Sequence, residues 1–422
     1  RWREASREMV LRGVAEVLAR WRRAAWRHKG KTAVGVLCAA YVLHYFLRLA
    51  KAPVLYYKRE GNERLRAVLQ RCPRLRQVYY PHFFATNAHL QLAVMQLFAK
   101  GSIHRRTERE LLTMQDGGTV SLDWFLPDRK KSVGSGEEGG EGENDERREK
   151  GEKKEKHKVL IALHGLTGGS EDSLVGGLIE QARREGWTCV GFNRRGHSSC
   201  RLSTPHLTVF GDTSDFKEVV AHVAERVRVV GNDSDGSIIC AVGISAGSGL
   251  LAKYLGEVGA ESPLTAAVAI SPGYDLDEMV RGRLPPLYNR LLTKNLKSFL
   301  LQHKEELKER IDVDHALSAT HWPEFDERVL CRLYDVSLDE LYRRYNPMLG
   351  IENVQVPTLC INSLDDPVCV RELVPFERFG QHDNMVLAAT QCGSHCTFYE
   401  GLSLNSWAAR TAVQFLDAFV EQ

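Results

Sequence analysis

The chain has 422 residues, enough for one large core with appendages. Its composition, 43% hydrophobic and 26% charged, is that of a globular protein, and a formal charge of +3 offers no basis for nucleic-acid binding. The ten cysteines form no C-x-x-C pair, so neither a zinc knuckle nor a thioredoxin-type motif is suggested, and Cys189, Cys240 and Cys360 lie in apolar runs where free thiols are usually buried.

At the front, residues 9–26 place Val10, Val14, Val17, Leu18, Trp21 and Ala25 at helical spacing among arginines, so 1–31 reads as a basic amphipathic segment. Residues 32–50, "TAVGVLCAAYVLHYFLRLA", are apolar or small apart from His44 and Arg48, and a run of about 20 such residues spans a bilayer as a helix. Arg20, Arg22, Arg23, Arg27, Lys29 and Lys31 precede it, against Lys51, Lys58 and Arg59 after it. That asymmetry predicts a single-pass signal anchor with a cytosolic N-terminus. The endoplasmic reticulum is the default compartment for such an anchor, and Asn232-Asp233-Ser234 is a glycosylation pattern that would then face its lumen.

Further along, "TVSLDWFLP" (119–127) and "VLIAL" (159–163) are strand-like, and the charged stretch 129–158 between them has Val133 as its one branched apolar residue. Such a segment cannot bury enough surface to offset its ordering entropy, so a disordered surface insertion is expected. Short apolar runs then alternate with helical stretches: 187–192, 237–242, 266–270, 358–362 and 385–389, with helices over 173–185, 215–229 and the C-terminal "SWAARTAVQFLDAFVEQ". Runs that are apolar throughout imply strands covered on both faces, hence an α/β fold with a mostly parallel sheet flanked by helices. Residues 272–357 break the alternation with helical, charged sequence, and a helical cap over the C-terminal edge of the sheet is expected there.

At the heart of this pattern, "SIICAV" runs into Gly243-Ile244-Ser245-Ala246-Gly247 and then into a helix-like stretch. Strand, tight turn and helix make G-x-S-x-G a nucleophile elbow, with Ser245 exposed at a helix N-terminus. The triad partners should follow in the order acid, then histidine. "TLCINSLDDPVCV" supplies Asp366 just before Pro367, with Asp365 as the alternative, and "MVLAATQCGSHCTFYEG" supplies His395; each follows a strand. His395 would move the proton of Ser245 while the aspartate fixes its tautomer. "ALHGLTGGS" ends its strand at His164-Gly165-Leu166, so the backbone N–H groups of Leu166 and Ala246 are the expected oxyanion donors, with His164 orienting the loop. The "HGLTGG" stretch lacks the Lys-Ser/Thr of a phosphate loop, and the sequence offers no further ligands to make His395 a metal site.

With these parts in order, the chain resembles the AB hydrolase 4 family of α/β-hydrolases. The resemblance runs from about Pro81 to the C-terminus, across 81–422, and rests on "HLQL" (89–92), "RELLTMQDGGTVSLDW" (109–124), "HGLTGGSEDS" (164–173) and "FNRRGHSSC" (192–200). It continues through "GISAG", "EFDE" (324–327), "INSLDDP" (361–367) and "GSHCTFYEG" (393–401). The family includes bacterial esterases, membrane-anchored animal lipases and phospholipases, and yeast fatty-acid ethyl-ester synthases. The resemblance implies a triad of Ser245, Asp366 and His395, and an N-terminal anchor. One departure is Gly393-Ser394-His395, where the family has Gly-Gly-His.

The resulting expectation is a membrane-bound serine hydrolase that cleaves lipid acyl esters, acylglycerol or phospholipid, through an acyl-enzyme on Ser245. It needs no cofactor or metal and no obligate protein partner. Two rivals are acyl transfer to an alcohol and a catalytically silent scaffold. The spacing of His321 and Asp326, H-x-x-x-x-D, is that of some acyltransferases, although it falls in the expected cap.

Overall fold

The computed structural model describes residues 29–98, 106–128, 157–208, 211–230 and 237–421. Most of the basic amphipathic segment, nearly all of the charged insertion and the Asn232 glycosylation pattern lie outside the described residues.

Among the described residues the first element is α1 (Lys29–His44), continued by a π-helical turn over Tyr45–Leu49. This is where a membrane-spanning helix over 32–50 was expected. Among the described residues no helix is long and apolar enough to cross a membrane. The C-terminal end of this helical stretch is fastened to the body instead: Tyr45 donates to Pro81 O at 2.7 Å, and the rings of Tyr41 and Tyr45 lie 5.3 and 5.0 Å from that of Phe83. Before that point Val34, Val36 and Leu37 are exposed, as is Phe46 in the π-helical turn.

From there the elements are β1 (Val54–Tyr56), α2 (Glu63–Arg71), α3 (Ala88–Phe98), β2 (Glu108–Thr113), β3 (Thr119–Phe125), β4 (Lys158–Leu163), α4 (Ser173–Arg184), β5 (Thr188–Asn193), α5 (Ser214–Val230), β6 (Ile238–Ile244), α6 (Ala246–Val258) and β7 (Ala266–Ile270). Then come α7 (Pro286–Gln302), α8 (Lys304–Leu307), α9 (Val313–Leu317), α10 (Trp322–Arg328), α11 (Leu330–Tyr334) and α12 (Leu338–Arg344), followed by β8 (Thr358–Ser363), α13 (Phe376–Gln381), β9 (Met385–Thr390) and α14 (Trp407–Val420). The strands form one sheet in the order β1-β9-β8-β7-β6-β4-β5-β3-β2. The six from β9 to β5 are parallel, and the antiparallel pair β3 and β2 and the antiparallel β1 close the two edges.

Strand β4 shows why the runs are apolar throughout. Leu160 and Ala162 pack with Leu178 and Ile179 of α4 and Phe415 and Phe419 of α14, on the side where Leu65 and Val68 of α2 also lie. Their neighbours Val159, Ile161 and Leu163 pack with Phe216, Val219 and Val223 of α5 and Leu250 and Leu251 of α6. A period-2 chain with helices on both faces has no polar side to show. Nine of the ten cysteines, including Cys189, Cys240 and Cys360, are buried free thiols; Cys38 on α1 is exposed.

Between β7 and β8 there is no strand. The helices α7–α12 build a separate core from Leu296, Leu300, Trp322, Phe325, Leu341 and Tyr342, joined by Val368 and Cys369 from the segment after β8. This segment therefore packs on the edge where the parallel strands end.

Helix α6 lies close to the turn before β8: a Cβ added to Gly256 would fall 2.6 Å from Gly350 O and 2.7 Å from its carbonyl carbon. A mid-helix Gly→Ala change ordinarily gains up to about 1 kcal/mol, but overpacking against backbone costs about 1–3 kcal/mol. Gly256→Ala should therefore lower the thermal midpoint, as followed by circular dichroism, without altering the chemistry at Ser245.

Candidate active site

Four parallel strands deliver the residues singled out from sequence. β4 leads to His164-Gly165-Leu166, β6 to Ser245, β8 to Asp366 and β9 to His395. All four arrive at the carboxyl ends of their strands, where ligands bind in open α/β sheets.

Ser245 sits at φ 54°, ψ −121°, between the last residue of β6 and the first of α6. Its N–H donates to Ile270 O at 2.9 Å. The flanking glycines are there for space. A Cβ on Gly243 would meet Gly247 O at 2.4 Å, and one on Gly247 would meet His164 O at 2.5 Å and Leu163 O at 2.6 Å. With the turn so compressed, the side chain is forced outward, and Ser245 Oγ lies 2.8 Å from His395 Nε2. His395 Nδ1 in turn lies 2.9 Å from Asp366 Oδ2.

Asp366 is held from behind: its Oδ1 accepts the N–H groups of Val368 and Cys369 at 2.8 and 2.9 Å. Its neighbour has another task. Asp365 Oδ1 accepts the N–H of Ser394 at 2.8 Å and also pairs with Ser363 Oγ. Of the two adjacent aspartates, Asp366, the one preferred from sequence, faces the ring, and Asp365 ties down the loop that carries it. Burial opposes charging of His395, but the Asp366 carboxylate, followed by the nearby thiols of Cys396 and Cys369, outweighs it, and the imidazole pKa stands well above the usual histidine value.

The departure at Ser394 has a structural account. Ser394 occupies φ 54°, a left-handed conformation that costs a glycine little and a serine more. In compensation its Oγ donates to Ala88 O at 2.7 Å, at the start of α3, while Thr397 Oγ1 donates to Gln91 Oε1 at 2.7 Å. The histidine loop is therefore stapled to α3.

Gly165 lies over the nucleophile, and a Cβ there would be 3.6 Å from Ser245 Cβ. Among the described residues neither the N–H of Leu166 nor that of Ala246 is taken by an acceptor. His164 is fully enclosed; its Nδ1 meets Gly165 O at 2.7 Å and its Nε2 accepts the N–H of Arg194. Burial, then the charge of Arg194, holds its pKa well below the usual value, so it is a neutral loop holder.

Two cavities open on Ser245 and His395. One is a narrow cleft of about 50 Å³ lined largely by Leu276, Met279, Leu292, Trp322 and Val368. The other, about 410 Å³, is more polar and is bordered by Thr167, Glu171, Asp172 and Ser173, with Met95 and Gln96 of α3. Sequence reasoning did not identify these lining residues as such, because they come from helices and turns far apart in the chain that only the fold brings together. Nor did it find Cys369, whose thiol, with Asp366 and His395, forms a group of potential metal ligands within 4.8 Å of one another. Both ring nitrogens of His395 are engaged, by Ser245 and Asp366, which is the arrangement of nucleophile, base and orienting acid. His321 and Asp326 lie apart from this group. His321 Nδ1 accepts the N–H of Glu324 as the N-cap of α10, and Asp326 accepts the hydroxyl of Tyr342 at 2.9 Å, with burial raising its pKa to about 7.

Comparison with known proteins agrees with this architecture. Residues 154–402 match the family model Hydrolase_4, described as serine aminopeptidase, S33. The human protein named phospholipase ABHD3 is 29% identical over 390 residues, spanning 90% of this chain and 88% of its own length. Embryogenesis-associated protein EMB8 of Picea glauca is 32% identical over 332 residues, 76% of this chain and 68% of its own. Human monoacylglycerol lipase ABHD2 is 23% identical over 395 residues, 87% of this chain and 86% of its own. With the family model covering more than half of the sequence, and with a sheet and elbow of the matching kind, the chain belongs to the Hydrolase_4 family of α/β-hydrolases.

Proposed function

We propose that the protein is a serine hydrolase that cleaves carboxylic esters of lipids, with Ser245 as nucleophile, His395 as base and Asp366 as its orienting acid. The observation that carries this reading is the unbroken chain Ser245 Oγ–His395 Nε2 (2.8 Å) and His395 Nδ1–Asp366 Oδ2 (2.9 Å), set beside two unengaged N–H groups.

In the first step His395 Nε2 takes the hydroxyl proton as Ser245 Oγ attacks the acyl carbonyl. The carbonyl oxygen becomes an oxyanion that accepts from the N–H groups of Leu166 and Ala246. The imidazolium, stabilised by Asp366, returns the proton to the leaving alcohol, and the acyl group remains on Ser245. Water entering by the larger cavity then repeats the sequence and releases the fatty acid.

The lipid character of the substrate is supported by the two cavities and by the names of the relatives, phospholipase and monoacylglycerol lipase. The apolar cleft suits the acyl carbons next to the ester, and the more polar opening suits the alcohol or head group. Helices α7–α12 supply Leu292 and Trp322 to the cleft, which supports reading this segment as a cap. Acyl transfer to an alcohol would use the same acyl-enzyme, but the His321 and Asp326 spacing that pointed to it is taken up by an N-cap and a tyrosine hydroxyl.

Membrane attachment belongs to the same proposal. The exposed apolar side chains of Val34, Val36 and Leu37 on α1 and of Phe46 just after it are ones a bilayer would cover, the basic residues ahead of them support a cytosolic N-terminus, and the endoplasmic reticulum is the compartment we assign. Retention in the pellet after alkaline carbonate extraction would support it; release into the supernatant would remove it.

The hydrolytic reading is tested by incubating the protein and its Ser245→Ala form with glycerides, phosphatidylcholines and p-nitrophenyl esters. Fatty-acid release and fluorophosphonate labelling by the first form alone are expected; silence of both forms in both assays would refute it. Asp366→Asn should reduce kcat by about 10⁴-fold. Asp365→Asn, which keeps an acceptor for Ser394, should stay within about tenfold, the equivalent of one hydrogen bond. Because Asp366 raises the pKa of His395, kcat/KM should climb with pH through a limb above the ordinary histidine value near 6.5. In residual Asp366→Asn activity that limb should move to lower pH, since the ring has lost the anion that favoured its charged form.

A further inference from the structure

Behind the loop that carries Leu166 lies a charged group that the triad does not use. Arg194 follows β5 directly and is 5% exposed. Its Nη2 donates to Gly165 O at 2.7 Å and to Leu166 O at 2.8 Å. Its Nε, also buried, has no acceptor. Among the described residues no carboxylate forms an ion pair with it, and the carboxylate of Asp215 is engaged by Arg195 through both oxygens, at 2.6 and 2.8 Å. Asp215 still acts on it through its charge, and the other titratable side chains beside it are His164 and His197, whose rings lie 4.6 Å apart and are both neutral. A buried cation without an anionic partner is costly, so its retention here asks for a reason.

The peptide plane supplies one. In a trans peptide the carbonyl and the following N–H point in opposite directions. Arg194 and His164 draw Gly165 O back into the interior. The N–H of Leu166, in the same plane, is thereby turned the other way, towards the side on which Gly165 overlies Ser245. Resting on the reading of Ser245 as nucleophile, we infer that Arg194 is the positioning residue of the oxyanion site: it fixes the Gly165–Leu166 peptide with its donor facing the reaction, and its unpaired charge is complemented when the oxyanion forms.

Such a residue acts on the transition state more than on bound ester. Arg194→Gln should lower kcat by about 10²-fold while KM changes less than about threefold, the scale of losing one oxyanion donor. A trifluoromethyl ketone, which becomes a negatively charged hemiketal on Ser245, should lose affinity in proportion to kcat/KM, whereas a non-reactive ester analogue should not. Arg194→Lys, which keeps the charge and one donor, should recover at least tenfold of the loss and provides the test if the glutamine form does not fold. For the lysine form, hemiketal affinity that follows kcat/KM supports the inference, and affinity that stays at the original level overturns it. A folded glutamine form with unchanged kcat, or with kcat and ground-state binding falling together, also overturns it. Labelling of Ser245 and ester release by the unmodified protein, absent in Ser245→Ala, separate these outcomes from failure of the hydrolase reading itself.

Discussion

The backbone bend at Ser245 is the constraint on which the rest of the molecule depends. A side chain at φ 54°, ψ −121° is held in a region that costs about 1–3 kcal/mol, and it persists only where the surroundings allow nothing else. Here the surroundings are two glycines whose backbones approach closer than any Cβ permits, and the carbonyl of Ile270 on the neighbouring strand. The parallel sheet makes this possible, because β6 and β7 end together and α6 can start within one residue of the bend. The other three functional segments leave the same edge and meet the serine there.

Around that point the protein keeps two buried charges of opposite sign without pairing them. Asp366 is satisfied by two backbone N–H groups and the imidazole, Arg194 by two backbone carbonyls. Each uses peptide dipoles as its solvent: Asp366 stands against the imidazole ring, and Arg194 against the carbonyls of the loop that overlies Ser245. Direct pairing of the two would satisfy both and leave neither for the reaction. Preorganisation of this kind avoids reorienting dipoles while the reaction proceeds.

Much of this was legible in the sequence, for physical reasons that differ by element. The six parallel strands were readable because burial on both faces leaves no polar residue in runs such as "VLIAL" and "AAVAI". Strands β1 and β2 were not: the first has three residues, and the second, "ERELLT", presents charged edge positions like those of a loop. Ser245, Asp366 and His395 could be located because each directly follows a readable strand, and local chain order carries that information. The division of labour between Asp365 and Asp366 could not, since it depends on where a loop 29 residues away lays its backbone. The anchor shows the limit of composition alone. Residues 32–50 are apolar, yet Tyr41 and Tyr45 turn the end of that stretch towards Phe83, and only coordinates reveal which face of an apolar helix is already occupied.

The burial of the thiols gives the protein an internal gauge of its own opening. Cys72, Cys189, Cys240, Cys360 and Cys392 are pushed up to about 12 or higher by burial, so they stay protonated and shielded until their surroundings come apart. They are spread over the turn after α2, over β5, β6 and β8, and over the loop beyond β9. The order in which a thiol reagent reaches them therefore records which layers of the fold loosen first. Cys38, exposed on α1, lies outside these layers, so its accessibility reports on what covers that helix rather than on the opening of the body.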